Sequence, residues 1–404
     1  MMPLRPSDPR VLAAAVADSM VVATDPAARR SGLFYWEMAR PWTTAVVDAV
    51  RTGDDPLIGS LGTALLDDPG DFDRYTRFTD ALVKLAPESP TARELFGLAW
   101  EAESNSRIGY HIGSAHTRGQ APVTVAELTG RPVGDPCPAD ASPPVLIVIP
   151  FRDRSAEGWR LRNLLACLQS LRDQSYPRDE YRVVVVESDD APRRREVIEP
   201  YADRYLFARK AGMFNKSWAV NVGVVESGEA TEVVCILDAD ALADRDFVAR
   251  NAASFQRPGT GGHLTYRDMF CLDEEATSQA IRDRIAAGEA EAPSERLRGF
   301  LLRRPPGCCL WVRAQTFHRI GGMDERYEGW GGEDNDFAYR FDFSAPFDSF
   351  DDRLLHMSHP PSSLLREDGE LVNAHIPPLS WGPDWPIGQR DRFEAEAVSD
   401  DLQH

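Results

Sequence analysis

Two short β-branched runs, "PVLIVIP" and "YRVVVVES", flank a segment whose leucines fall at helical spacing, and together they constrain the chain more than any other feature. Both runs are continuously apolar rather than alternating, the pattern of strands buried on both faces of a mostly parallel sheet. Between them "GWRLRNLLACLQSLRDQSY" carries Leu161, Leu164, Leu165, Leu168 and Leu171 on a helical stripe, which completes a βαβ unit. A further helix, "NKSWAVNVGVVESG", leads into a third strand, "EVVCILDAD", ending in two aspartates. The fold class is therefore α/β, with ligands expected at the carboxyl ends of the strands.

The flanking regions differ in texture. From about residue 10 to 120 the chain reads as helical, without an alternating strand pattern, and "TGRPVGDPCPADASPP" has the Pro, Gly and Asp content of a linker. These shifts predict a helical N-terminal domain over 1–130, a linker over 131–144, an α/β domain over 145–375 and an irregular tail over 376–404. Within the α/β domain, "EEATSQAIRDRIAAGEAEAPSERLRGFL" reads as a polar helical insertion with a solvated face. "RPGTGGHLTYRD" reads as a loop, since its glycines lack the G-K-[ST] of a phosphate loop.

Charge narrows the function. The formal net charge of −19 disfavours nucleic acid, because phosphate backbones require a basic surface. No run of eighteen apolar residues is free of charge, and the apolar start has no basic leader, so no membrane span and a cytoplasmic location are expected. Six cysteines without a CxxC pair predict buried thiols. His111 and His116 have no Cys or carboxylate ligands beside them and read as packed or surface residues.

Four stretches carry chemistry. In "LDADA", Asp238 and Asp240 occupy alternating positions where a strand leaves the sheet, which suits a divalent cation shared with substrate phosphates. In "HMSHP", His359, with His356 in reserve, follows a short apolar run and offers the nitrogen ligand that Mn²⁺ tolerates better than Mg²⁺. In "VIPFRDR", Pro150, Phe151, Arg152 and Arg154 set an aromatic surface and guanidinium groups at a strand end, suited to a nucleotide. In "GWGGEDNDFAYR", carboxylates Glu333, Asp334 and Asp336 open a helix behind Trp330 and two glycines. Successive helical residues point about 100° apart, so the three cannot share a role. Asp334 fits a general base with Trp330 as platform for a sugar ring, Glu333 could orient an acceptor, and Asp336 could cap the helix.

In this order, "PFRDR", "FNKSWAVNVG", "LDAD", "GCCLWVRAQTFHRIGGMDERYEGWGGEDNDFAYR" and "HMSH" resemble successive motifs of the GT-A glycosyltransferases, in particular the β-1,4-galactosyltransferase and chondroitin-polymerase-like groups, over about residues 145 to 360. The resemblance implies a GT-A domain and transfer of a sugar from a UDP-linked donor, with inversion, to an acceptor the sequence does not identify. It also implies donor contacts from Pro150, Phe151, Arg152, Arg154, Phe214, Lys216 and Asp238, Mn²⁺ or Mg²⁺ on Asp240 and His359, and Asp334 as base. His356 stands where the galactosyltransferases have a methionine ligand. The animal galactosyltransferases are membrane-anchored, and the N-terminal region lies outside the resemblance. Two other readings stay open: a retaining enzyme of the polypeptide N-acetylgalactosaminyltransferase type, and a non-catalytic nucleotide- or carbohydrate-binding module.

Overall fold

The computed structural model describes residues 5–228, 230–329, 331–360 and 370–393. Its centre is one ten-stranded sheet. Along the sheet the order is β1 (Ile108–Ile112), β8 (Arg298–Arg303), β7 (Gly262–Leu272), β9 (Cys309–Arg313), β5 (Val233–Leu237), β2 (Val145–Phe151), β3 (Tyr181–Asp189), β4 (Arg204–Arg209). The short β6 (Ala241–Leu242) and the long β10 (Phe347–His356) lie off this path.

The half from β5 to β4 is parallel. Alternate residues of β2 enter different cores: Val145, Ile147 and Ile149 pack with the leucines of helix Trp159–Arg172, while Leu146 and Val148 pack with Trp218, Ala219 and Val222 of helix Lys216–Ser227. A helix on each face is the reason the strand sequence is apolar throughout.

The other half is antiparallel, and here the structure corrects three expectations. The strand β1 lies in the region read as wholly helical and pairs with β8 through Ile108↔Leu302 to Ile112↔Arg298. The segment read as a glycine loop holds the start of β7, whose Gly262 lies so close to β9 that a Cβ would sit 2.7 Å from the Trp311 carbonyl oxygen. The segment read as a solvated helical insertion is a short helix, Glu274–Ile281, then a single π-turn and, further on, β8. Its Ala276, Thr277, Ser278, Ala280, Ile281 and Arg284 are buried. Arg284 is satisfied there by Ala243 and Asp173 carbonyls and the Asp173 carboxylate.

Six helices between Pro9 and Ser106 form the N-terminal unit, and five start at a side-chain cap: Asp8, Asp25, Asp55, Asp71 or Ser89 accepts from a backbone N–H of the first turn. Residues 131–144 contain no helix or strand. The described part of the tail, 376–393, contains no helix or strand but is laid on the domain: Trp381 donates its indole N–H to the Gly321 carbonyl at 2.7 Å, and Trp218 donates to that of Gln389 at 2.9 Å. All six cysteines are free and buried. Among the described residues no helix is long and apolar enough to cross a membrane.

Candidate active site

Chain path brings the LDAD and HMSH stretches together. Beyond β5 the Asp238 N–H donates to the Cys308 carbonyl at 2.8 Å, the chain turns, and β6 pairs with the end of β10 through Leu242↔Leu355 and Ala241↔His356. The Met357 N–H closes this corner on the Asp240 carbonyl at 2.8 Å. The Asp240 carboxylate thereby lies 3.4 Å from His356 Nε2 and 3.1 Å from His359 Nε2. Potential ligand atoms of these three residues all fall within 4.8 Å of one another, as do those of Asp238, Asp240 and Cys308.

Burial raises the Asp240 pKa, but the facing histidines outweigh it and hold the carboxyl well below its usual range. Burial lowers that of His356 against the pull of Asp240, which favours the neutral imidazole a metal needs. Asp240 Oδ1 is buried without a hydrogen-bond partner among the described residues. One carboxylate with an unused oxygen and two imidazoles fit a divalent cation, and the mixed N/O set suits Mn²⁺ better than Mg²⁺.

A second cluster adjoins the first. The helix Glu333–Asp342 opens after Gly331 and Gly332, both at positive φ, and a Cβ on Gly332 would meet the Tyr327 ring at 2.8 Å. Asp334 lies in its first turn, over Gly307, where a Cβ would come 2.5 Å from Asp334 Oδ2. Both Asp334 oxygens lie 3.0 Å from Lys216 Nζ, which also contacts Asp238 at 2.8 Å and Glu333 at 4.0 Å. Lys216 is fixed by its helix start, where the Asn215 side chain accepts from the Trp218 N–H and donates to the Glu325 carbonyl.

One ammonium faces three carboxylates, so negative charge is in surplus. Burial pushes the Asp334 pKa up to about 7, with Lys216 opposing the rise and Glu333 and Asp238 adding to it. Glu333 is raised for the same first reason. Burial works against the charge on Lys216, but the three carboxylates prevail and hold its pKa well above the ordinary value. A carboxyl that titrates near neutrality can accept a proton from a hydroxyl and hold it.

At the end of β2 the expectations divide. Pro150 is buried, and Phe151, only 2% exposed, belongs to the core. The aromatic face expected from Phe151 is thus absent, because at the last position of a strand covered on both sides the ring points inward. Phe214 supplies an aromatic face instead, with the Arg152 guanidinium 5.4 Å from its centroid. Arg152 donates to the carbonyls of Ser188, Gly212 and Lys210, which staples the ends of β2, β3 and β4 together. Arg154 forks onto Asp189 at 2.8 and 2.5 Å.

Asp189, fully buried at the end of β3, is a residue the sequence reading missed, although "VESDD" repeats the signal of an apolar run closing in acids. Its Oδ2 has no hydrogen-bond partner among the described residues. Asp336 is also corrected: the helix N-cap is Gly332, and Asp336, one turn inside, is buried against Arg340 at 2.7 Å and accepts from the Leu379 N–H at 3.0 Å. It pins the tail rather than capping the helix. Trp330, expected as the sugar platform, lies outside the described residues.

Residues 146–318 match the model for glycosyl transferase family 2, and residues 303–345 match that for the N-terminal domain of galactosyltransferase. A validoxylamine A glucosyltransferase from Streptomyces hygroscopicus subsp. jinggangensis is 25% identical over 259 residues, covering 58% of this chain and 56% of its own. The chain therefore spans about half the length of the curated relatives it matches. Among solved structures, a mannosyltransferase from Pyrobaculum calidifontis in complex with GDP-Man and Mn²⁺ is similar at 17% identity and a TM-score of 0.38, over 57% of this chain and 62% of that one. The catalytic domain of Drosophila β1,4-galactosyltransferase 7 with xylobiose is similar at 18% identity and a TM-score of 0.31, over 51% and 63%. The chain thus carries a region that matches glycosyltransferase family 2, on a mixed α/β fold behind a helical N-terminal region, and its residues 303–345 resemble the galactosyltransferases.

Proposed function

We propose that this chain, with its glycosyltransferase family 2 region, moves a sugar from a UDP-linked donor to an acceptor hydroxyl, with inversion, and depends on Mn²⁺ or Mg²⁺. The observation that carries the reading is the bridge Asp238–Lys216–Asp334, beside the Asp240–His356–His359 cluster. It joins the strand end suited to a donor to the helix start suited to a base.

The roles divide as follows. Asp240, His359 and His356 would hold the cation, which when bound supplies positive charge against the departing diphosphate. Phe214 offers its ring face to the base of the nucleotide, and Arg152 holds that face while Arg154 and Asp189 frame the strand ends. Lys216, kept charged by its three carboxylates, balances charge between donor and base. Asp334 takes the proton as the acceptor oxygen forms its bond to the anomeric carbon, and the bond to the diphosphate oxygen breaks with the electron pair leaving on the diphosphate. Attack from the face opposite the leaving group inverts the anomeric centre. Glu333, at 4.0 Å from Lys216, adds to the surplus that keeps Asp334 basic.

The test is a panel of nucleotide sugars assayed for Mn²⁺-dependent thermal stabilisation and for hydrolysis or transfer, since a ligand that binds only the folded state raises the melting temperature. UDP-sugars stabilise with Mn²⁺ and not in EDTA if the reading holds. Stabilisation without hydrolysis or transfer of any donor would favour the binding module, and a product with retained anomeric configuration would favour the retaining class.

A further inference from the structure

The helical N-terminal unit encloses space directly beside the metal-suited cluster. A cleft of about 1110 Å³ runs between the two units. Asp25 to Ala27, Arg29 to Ser31, Leu33, Asp68 to Gly70 and Arg118 wall it on one side, and Trp159, Asp273 to Glu275, Arg298 and Ser358 to Pro360 on the other. His359 is thus shared between the cleft and the Asp240 cluster.

The charges lining this cleft are unevenly matched. Its carboxylates are already engaged: Asp25 and Asp273 with Arg298 at 2.8 and 3.0 Å, Asp68 with Arg118 at 2.7 Å, and Glu274 with the buried Arg162. Glu275 accepts from the Gly119 N–H at 2.8 Å and lies 3.9 Å from His116. The neighbouring Arg29 and Arg30, exposed at the end of helix Pro26–Ser31, have no carboxylate partner among the described residues, and Arg29 rests over the Trp36 ring at 5.0 Å. The cleft therefore holds two guanidinium groups without a carboxylate partner among the described residues, in a chain whose net charge is −19. Opposite these arginines, Trp159 presents a half-buried indole, held by Arg162 at 4.9 Å from its centroid. An indole face for a sugar ring and guanidinium forks for an anion are a recognisable pair.

We propose that this cleft is the acceptor site and that the acceptor is an anionic saccharide, its ring on Trp159 and its carboxylate or phosphate on Arg29 and Arg30. The inference rests on the transferase reading and gives the N-terminal unit its role: it supplies acceptor recognition, while the sheet supplies donor and base. The cleft exceeds the volume of a single sugar, so the acceptor is an oligosaccharide or a sugar bearing a further group.

Calorimetry on the full chain with UDP and MnCl₂ present tests it, using glucuronic acid, glucose 6-phosphate and methyl glucoside as probes. At least one anionic probe should bind about ten-fold or more tightly than methyl glucoside, the worth of a charge-assisted fork. The double variant Arg29→Ala, Arg30→Ala should abolish that preference, and Trp159→Ala should weaken anionic and neutral probes alike. Tighter binding of glucuronic acid or of glucose 6-phosphate identifies carboxylate or phosphate as the anion. Equal binding of all three probes, no binding of any, or a preference that survives the double variant overturns the inference. UDP titrated with MnCl₂ in the same cell separates the two readings: its failure to bind sinks the transferase, whereas normal UDP binding without anion preference sinks only the acceptor assignment.

Discussion

Replacing Asp334 with Asn is the most discriminating perturbation of the second cluster. The amide keeps the shape that Gly307 accommodates and can still accept from Lys216 through its remaining oxygen, but it cannot take a proton. Lys216 retains Asp238 at 2.8 Å and Glu333 at 4.0 Å, so the ammonium is not stranded, and the surplus of negative charge falls from two to one. The fold should therefore tolerate the change, and a diphosphate should bind at least as well as before because one repelling charge is gone. Loss of general base catalysis costs about 10²–10⁴-fold in turnover, or about 3–5 kcal/mol in barrier. Steady-state kinetics with donor calorimetry should show kcat falling by that factor while the UDP-sugar Kd holds or tightens. A pH series adds a second readout: with the carboxyl pushed up to about 7, the wild-type rate should fall as pH drops below that value, and the residual Asn rate should lack that limb. Turnover within ten-fold of wild type, or a loss matched by an equal loss of donor affinity, would refute Asp334 as the base.

Other outcomes follow from the packing. Chelation by EDTA should abolish turnover and MnCl₂ should restore it, whereas Asp240→Ala should stay inactive with unchanged circular dichroism; full turnover in excess EDTA would end the metal assignment. Asp336→Ala should lower stability by about 3–5 kcal/mol in denaturant titration, because it strands the buried Arg340 and frees the tail at Leu379. Asp18, buried in the first helix beside the Tyr75 hydroxyl, has its pKa pushed up from 3.8 to about 7 by desolvation, so the folded state holds a proton that the unfolded state releases between those values. Its contribution to stability therefore declines as pH rises from about 4 to 7, and Asp18→Asn should flatten that slope in melting curves taken at pH 5 and 8. An identical slope in the variant would mean that Asp18 is ionised in the fold.

What the sequence made legible was whatever the local chain dictates alone. The apolar runs of β2, β3 and β5 and the leucine stripe between them need no partner to be recognised, and the strand-end carboxylates and the two histidines at and just beyond the end of β10 carry their own spacing. The antiparallel half was hidden because β1 is five residues in a helical neighbourhood, and because Gly262 and Gly299, which permit close strand contact, lay in stretches read as a loop and as a helical insertion. Phe151 was misjudged because a strand end does not reveal which way its last ring points. The grip of Lys216 on Asp334 spans 118 positions of chain, so no motif could announce it. The staple made by Arg152 depends likewise on carbonyls from β3 and the segment after β4.

Because β1 comes from the helical unit, the linker over 131–144 is a poor place to cut. A polypeptide beginning at Val145 would keep every strand that frames the two clusters, yet β8 would become a bare edge along its pairing with Ile108–Ile112. Arg298 would lose Asp25 and the Tyr110 hydroxyl, and Phe300 would lose the cover of Tyr35. An unpaired strand carrying newly uncovered apolar side chains recruits other strands, so such a fragment should self-associate on expression even though the residues of both clusters are intact. The helical unit is in this sense an edge guard as well as a wall of the cleft, and dissection should keep the chain from Pro9 onward together with the sheet it closes.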